Sequence, residues 1–188
     1  MALVDSSWAA QRIVAEQSAV DEVRNLDRRE FSNPALGGTL DRIASRYSLE
    51  VATLEPSAMS GSRKDTQRVI RDEFGMTGTA TFTVMEVKIP FRGDPLSFRL
   101  SPTCCTIPQQ ICEVSSDHLL VTLTDDADVQ KKVDQFVQQV AQNLSALKTE
   151  VEGWRPRLRA LLDQVASVRM KEIAAQKERD KNLNFKVD

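Results

Sequence analysis

The residues best suited to chemistry in this chain are its cysteines and its single histidine. Cys104, Cys105 and Cys112 precede His118, and the carboxylate of Asp117 stands beside the histidine. Zinc sites usually pair their ligands about two to four residues apart, whereas 0, 6 and 5 residues separate these four ligands. Adjacent cysteines rarely point at one metal, so the spacing predicts neither a metal site nor a bound cofactor.

A thiol enzyme is one alternative, with Cys112 as nucleophile, His118 as base and Asp117 beside them. A hairpin would have to bring these side chains together, and the sequence offers no clear third group to orient the pair. Because His118 is the only histidine, no Ser-His-Asp site can be assembled without it. Gly37-Gly38 lacks the pattern of a phosphate-binding loop. We therefore expect no catalytic residues and predict that the protein is not an enzyme.

The rest of the chain is organised around a run of apolar residues that we call the seam. Its members recur at alternating steps of four and three, a mean of about 3.5 residues, which is the period of a helix that keeps one side toward a partner helix. The seam consists of Val133, Val137, Val140, Leu144, Leu147, Val151, Trp154, Leu158, Leu161, Val165 and Val168.

Gly153-Trp154-Arg155-Pro156 interrupts the seam and allows two interpretations. Either the chain reverses here, with Pro156 in the first turn of a new helix, or one helix continues with a kink that costs about 3 kcal/mol. The spacing favours the second, because a reversal has no reason to preserve the steps of four and three. We expect one helix from about Asp126 to about Lys181, kinked at Pro156, in coiled-coil-like packing.

The elements before this helix predict an α+β fold. Two N-terminal helices are indicated, from about Asp5 to Arg29 and after Asn33-Pro34. A small antiparallel β-meander of about four strands should follow, with a bulge where the alternation in 79–91 changes phase, a strand at 96–100, and no clear prediction for 63–74. The expected domains are an α+β globular part at 1–125 and a long helical arm with a short tail at 126–188.

Composition limits the classes of function. The net charge is -2 and aromatic residues make up only 5% of the chain, which argues against general nucleic-acid binding. No apolar run reaches the roughly 18 residues of a membrane span, and the first residues do not resemble a signal peptide. An odd number of cysteines fits a reducing compartment, so we expect a cytoplasmic protein without membrane contact.

The C-terminal part is basic, with nine basic residues against five acidic ones between Arg155 and Asp188. A solvated helix face explains most of this excess. The remaining alternative is a surface for an anionic partner, formed by Arg155, Arg157, Arg159, Arg169, Lys171, Lys177 and Arg179.

One segment resembles a known group of proteins. Val87–Asp94 reads VKIPFRGD and is followed by Phe98 and Ser101-Pro102. It is similar to uncharacterised bacterial proteins with an "IPF-x-G-D…F…P" strand pair, a long helix with a late arginine (here Arg169), and an end of the type "LGFP". At that end this chain has Asn182-Leu183-Asn184-Phe185, without the Gly and Pro. The resemblance, over about residues 79–185, implies a protein that accompanies nuclease or signalling modules in bacterial defence against phages.

The hypothesis favoured by these observations is a non-enzymatic interaction protein. The seam should assemble copies of the chain, as a dimer or larger homo-oligomer, or dock a helical partner protein. If the resemblance holds, the chain is a scaffold, sensor or regulatory subunit of a bacterial antiviral defence system. The alternatives are a nucleic-acid-binding accessory module that uses the basic helix surface and the thiol enzyme at Cys112 and His118.

Overall fold

The computed structural model describes residues 6–71, 75–103 and 112–181. Over these residues the fold is mixed, with a mostly antiparallel sheet and a long C-terminal helix, as predicted. The helices are α1 (Trp8–Arg24), α2 (Leu36–Arg46) and α3 (Val129–Asp180). The strands are β1 (Ser6–Ser7), β2 (Thr53–Leu54), β3 (Ser60–Arg71), β4 (Thr77–Arg92), β5 (Leu100–Ser101), β6 (Cys112–Val114) and β7 (His118–Thr124).

The chain divides into two units. Unit 1 contains Met1–Trp8 and Glu50–Lys148, and unit 2 contains Ala9–Leu49 and Thr149–Asp188. The first part of α3 therefore belongs to the unit with the sheet, and the second part belongs to the unit with α1 and α2.

The sheet of unit 1 is built around β4. Its strand order is β2-β4-β7-β6, with β3 also paired to β4, and these pairs are antiparallel. β5 is not part of this sheet and forms a short parallel pair with β1. The antiparallel sheet was predicted, but a simple meander was not the right topology, because β4 lies next to β7 rather than next to β5.

Strands β3 and β4 form a long hairpin in a region that the sequence left undecided. The register runs from Ser60 opposite Lys88 to Arg71 opposite Thr77, and it is uninterrupted. The predicted bulge is therefore wrong. The two apolar sets in β4 lie on opposite faces of one regular strand, since successive side chains of a strand alternate.

The core of unit 1 lies between the sheet and the first half of α3. Its strand residues include Ile89 and Leu119, both fully buried. Its helix residues are Val133, Phe136, Val140 and Leu144. The apolar face of each element is thus covered by the other, which is how an amphipathic helix and a half-buried sheet usually stabilise a domain.

The predicted strand at 96–100 is wrong, although Phe98 and Leu100 are buried and Leu96 is half-buried. Pro95–Arg99 forms a 3-10 helix, because the carboxylate of Asp94 accepts a hydrogen bond from the backbone N–H of Leu96 at 2.8 Å. The ring of Phe98 packs edge-on against Phe91, with 4.6 Å between centroids. The FRGD sequence therefore forms a corner of the fold.

Gly93 makes this corner feasible. Its φ of +106° lies in a region that residues with a side chain rarely adopt. A Cβ at this position would lie 2.8 Å from the Cα of Ala52. The corner requires glycine for both reasons.

Helix α3 is continuous through Pro156. It extends over 52 residues from Val129 to Asp180, so the long helix is confirmed and the reversal at Gly153-Pro156 is wrong. At its start, the carboxylate of Asp126 accepts the backbone N–H of Asp128 at 3.1 Å and lies 2.5 Å from Lys132 Nζ. Acidic residues thus stand at the positive end of the helix dipole, as expected.

Candidate interaction surface on the long helix

The structure places most of the seam inside the protein. The seven buried members are Val133, Val140, Leu144, Leu147, Val151, Trp154 and Leu158. Val137, Leu161 and Val165 are half-buried, and Val168 is 51% exposed. Apart from Val137, the chain itself therefore covers the seam up to Leu158, and most of the seam surface that remains lies toward the C-terminal end of α3.

The buried face of α3 follows a different period from the seam. Beyond Leu158 it continues through Leu162, Ala166 and Ile173. From Val133 to Ile173 the buried positions recur about every 3.6 residues, the period of a straight α-helix. The two periods coincide early in the helix and separate later, since a seam with steps of 3.5 drifts by about 20° per heptad around such a helix.

This drift leaves an apolar stripe at the surface, which we call the residual stripe: Leu161, Val165 and Val168. It lies in a surface groove of unit 2 that is also lined by Gln164 and by charged residues of both signs, namely Arg24, Arg169 and Glu172. The groove thus combines apolar and charged lining residues. Such a combination is typical of a protein contact surface.

Within unit 2, polar contacts fix α1 and α2 against the second half of α3. The indole Nε1 of Trp154 donates to the carboxylate Oε1 of Glu16 at 2.6 Å. Arg155 donates to the hydroxyl of Ser48 at 2.6 Å and to the carbonyl oxygen of Leu49 at 3.0 Å. The packing within unit 2 is therefore held by tertiary hydrogen bonds as well as by burial.

The basic surface predicted on α3 is partly used for intrachain contacts. Arg155 makes the hydrogen bonds just described, Arg159 pairs with both Asp41 and Asp163, and Arg169 pairs with Glu172 at 2.8 Å. The two carboxylates raise the pKa of Arg159 above its already high ordinary value. These three arginines are already partnered, which reduces the positive charge available to an anionic ligand. The other members of the predicted surface are Arg157, Lys171, Lys177 and Arg179.

The structure separates the residues of the predicted thiol site. Cys112 lies opposite Val121 in the β6–β7 pair, and Val114 lies opposite Leu119. Opposite residues share a face and successive residues alternate, so His118, which precedes Leu119, lies on the other face from Cys112. The imidazole Nδ1 of His118 instead lies 2.7 Å from the carboxylate of Asp117.

The environment of Cys112 also disfavours a nucleophile. Its side chain is buried, and burial raises the pKa of the thiol to about 11. This cysteine is therefore protonated at neutral pH, whereas the thiolate is the reactive form.

The pKa of Asp117 is lowered, and the main cause is the hydrogen bond with His118.

Cys104 and Cys105 lie outside the described residues. Among residues 6–71, 75–103 and 112–181, no three His, Cys, Asp or Glu side chains are grouped so as to hold a metal ion. No helix over the same residues combines the length and the apolar character that a membrane span needs.

Two features of the structure, one on α3 and one in the β3–β4 hairpin, were not predicted from the sequence. Phe136, Leu162, Ala166 and Ile173 belong to the buried face of α3 but not to the seam, and a search at a period of 3.6 would have found them. Hydrophobic side chains are also exposed in the β3–β4 hairpin, at Val69, Ile70, Met76 and Phe82. No periodic signal marks β3, because most of its residues are polar, whereas Phe82 of β4 belongs to the alternation noted in 79–91.

Comparison with known proteins assigns no family to this fold. Neither a protein-family model, a curated protein sequence nor a solved structure matches the chain.

Proposed function

We propose that this chain is a non-enzymatic interaction subunit that self-associates through the last third of α3. The observation that carries the proposal is the residual stripe. Leu161, Val165 and Val168 follow steps of four and three, yet the chain does not fully cover them. Soluble chains rarely keep a contiguous apolar stripe at the surface unless it serves a contact.

The occupant that suits this stripe best is the same stripe of a second copy. Two-fold contacts are the commonest closed arrangement in homo-oligomers. The charged residues that line the groove are Arg24, Arg169 and Glu172. A second copy therefore brings opposite charges to a surface that carries both signs. In this proposal the two stripes meet as in a coiled coil, and α3 bends at Pro156, where proline removes one backbone hydrogen bond.

The resemblance of residues 79–185 to proteins of bacterial defence loci extends the proposal. The chain would then be a cytoplasmic scaffold or sensor beside a nuclease or signalling effector. The residues of the IPF-x-G-D motif support a structural role for that segment, since Phe91, Gly93 and Asp94 build the corner described above. The motif contributes to the fold and supplies no catalytic group.

Sedimentation velocity at micromolar concentration tests the proposal. The wild-type chain should sediment as a dimer or larger species. The variant Val165→Asp with Val168→Asp should form smaller assemblies, because two carboxylates would have to be buried at the contact. Ala160→Asp is the matched control, since it adds a carboxylate at an exposed position of the same helix.

Two results would contradict the proposal. A wild-type chain that is monomeric at tens of micromolar would remove self-association altogether. A wild-type assembly that keeps its size in the double aspartate variant would place the contact elsewhere. Circular dichroism of each variant should remain that of the wild type, because the substituted side chains are only partly buried.

A further inference from the structure

The β3–β4 hairpin has an open backbone edge that belongs to unit 1 and has no part in the α3 contact. β7 pairs with β4 only from Val84 to Pro90. Residues 77–83 of β4 pair with β3 on one side, and no other strand of the described residues pairs with them. One side of the segment 77–82, TGTATF, therefore presents unpaired backbone donors and acceptors, whereas the carbonyl oxygen of Thr83 accepts from Asp125.

The parity of the strand identifies the residues that present these groups. The backbone N–H of Asp125 donates to the carbonyl oxygen of Thr83 at 3.2 Å, so Thr83 points toward the side of β7. In an antiparallel sheet both polar groups of a residue point to the same side, and successive residues alternate. Thr77, Thr79 and Thr81 consequently direct their N–H and C=O groups to the open edge.

The composition of the edge lacks the features that normally protect one. Natural proteins block exposed edges with lysine and other charged residues, proline, bulges or a covering element. Residues 77–83 include no charged residue and no proline, and the pairing with β3 is regular throughout. The opposite edge of the hairpin, in β3, carries charged residues at Arg63, Lys64, Asp65 and Arg71. Of the two edges of the hairpin over the described residues, that of β4 is therefore the better suited to receive another strand.

We infer that this edge pairs antiparallel with the same edge of a second copy, about a two-fold axis at Ala80. In this register Thr79 lies opposite Thr81 of the second copy, and the paired segment runs from Gly78 to Phe82, because Asp125 already lies opposite Thr83. Thr79 and Thr81 have the parity that directs backbone groups to the edge, so the pairs that must exchange hydrogen bonds are those that can do so. Two hairpins then form one four-stranded sheet.

The side chains are complementary in the same register. Phe82 lies opposite Gly78 of the second copy, in a pair of the closely spaced type. A Cβ at Gly78 would meet nothing within 4 Å, so there is room for the phenyl ring. The β3 partner of Gly78 is Ile70, which lies on the side of Gly78 away from the second copy. Phe82 and Ile70 are 39% and 48% exposed in the single chain, and the pairing would cover both.

The charges do not oppose this register. Like charges do not face each other anywhere along residues 78–82, because this segment has none.

Disulfide trapping tests the register directly. In a chain with Cys104→Ser and Cys105→Ser, the variant Ala80→Cys should form an interchain disulfide with oxidised glutathione, because the two Ala80 residues lie opposite each other. Thr79→Cys is the matched control. It should cross-link much less, since its two copies are displaced diagonally and lie about 7–8 Å apart or more.

Blocking the edge tests the contact without cross-linking. Thr81→Pro removes a backbone N–H that points away from β3, so the hairpin should tolerate it as edge strands do. The control Thr81→Val keeps the N–H. If Thr81→Pro disturbs the fold by circular dichroism, Thr79→Lys provides a second block by charge. Either blocked variant should sediment as a smaller species than the wild type.

The two contacts can be separated by combining variants. With both contacts intact the chain should form species larger than a dimer. Thr81→Pro alone and the Val165→Asp, Val168→Asp pair alone should each leave a dimer, and all three substitutions together should leave a monomer. If Ala80→Cys does not cross-link and both blocked variants sediment as the wild type does, the inference is overturned, and the edge would be assigned to a strand from a different protein.

Discussion

The indole nitrogen of Trp154 and the carboxylate of Glu16 are 138 residues apart in sequence and 2.6 Å apart in space. This hydrogen bond joins α1 to the second half of α3 within unit 2. Trp154 is 3% exposed. If the carboxylate of Glu16 were removed, little water could therefore reach the indole N–H to replace it. The pair is therefore expected to contribute to stability and not only to orientation.

Trp154→Phe keeps most of the ring but removes the donor, and it should lower the free energy of unfolding by about 1–3 kcal/mol, as expected for a hydrogen bond to a charged group. Trp154→Ala should cost about 3–5 kcal/mol, because it also leaves a cavity. Urea titration followed by circular dichroism measures both. Equal stability of Trp154→Phe and the wild type would show that the hydrogen bond contributes nothing.

Two adjacent leucines distinguish the seam from the buried face of α3. Leu162 is fully buried, whereas Leu161 is half-buried in the groove. Leu162→Ala should lower the free energy of unfolding by about 2–5 kcal/mol, and Leu161→Ala should lower it by clearly less. Guanidinium titration at a concentration low enough to avoid association provides the comparison. If Leu161→Ala were the more destabilising of the two, the buried face of α3 would follow the period of 3.5 residues and not that of 3.6.

The continuity of α3 predicts stabilising substitutions near its centre. Gly153→Ala should raise stability by up to about 1 kcal/mol, because alanine favours a helix interior and its Cβ would meet nothing within 4 Å. Pro156→Ala should raise it further, since it restores a backbone hydrogen bond. Thermal unfolding measures the change. A loss of stability in both variants would favour a chain that turns at this point.

The buried thiol of Cys112 predicts a pH dependence. Its pKa is raised from an ordinary value of 9.0 to about 11 in the folded chain. The unfolded chain therefore releases this proton at lower pH than the folded chain does, and stability should fall as pH rises from about 9 to about 11. Cys112→Ala should reduce the slope in that interval. The comparison is best made with Cys104→Ser and Cys105→Ser, so that Cys112 is the only titrating thiol.

Local signals in the sequence were sufficient for the helices. The spacing of apolar residues across Pro156 predicted one long helix, and the structure confirms it. The same spacing did not identify the inner face beyond Leu158, because Leu161 and Leu162 are identical in type and the steps of four and three select Leu161. The burial of Leu162 follows the straight-helix period instead, from which a seam of 3.5 residues drifts.

The sheet was harder to predict, for physical reasons that differ between strands. β3 is mostly exposed, so it has no alternation of polar and apolar residues, and only its pairing with β4 makes it a strand. The segment 96–100 does alternate, yet Asp94 and Pro95 start a 3-10 turn there. The open edge of β4 had no sequence signal, since an edge is defined by which strands are absent beside it.

The division of α3 between two units has a consequence for how the chain folds during synthesis. Contacts from α2, α1 and the segment between them to the second half of α3 span 118, 138 and 148 residues, whereas β3 pairs with its immediate successor. At about 5–20 residues per second, these segments wait roughly 6–30 s for the ribosome to supply their partners. The sheet can form in that interval, and the contacts of α1 and α2 with α3 form only after the second half of α3 has left the ribosome.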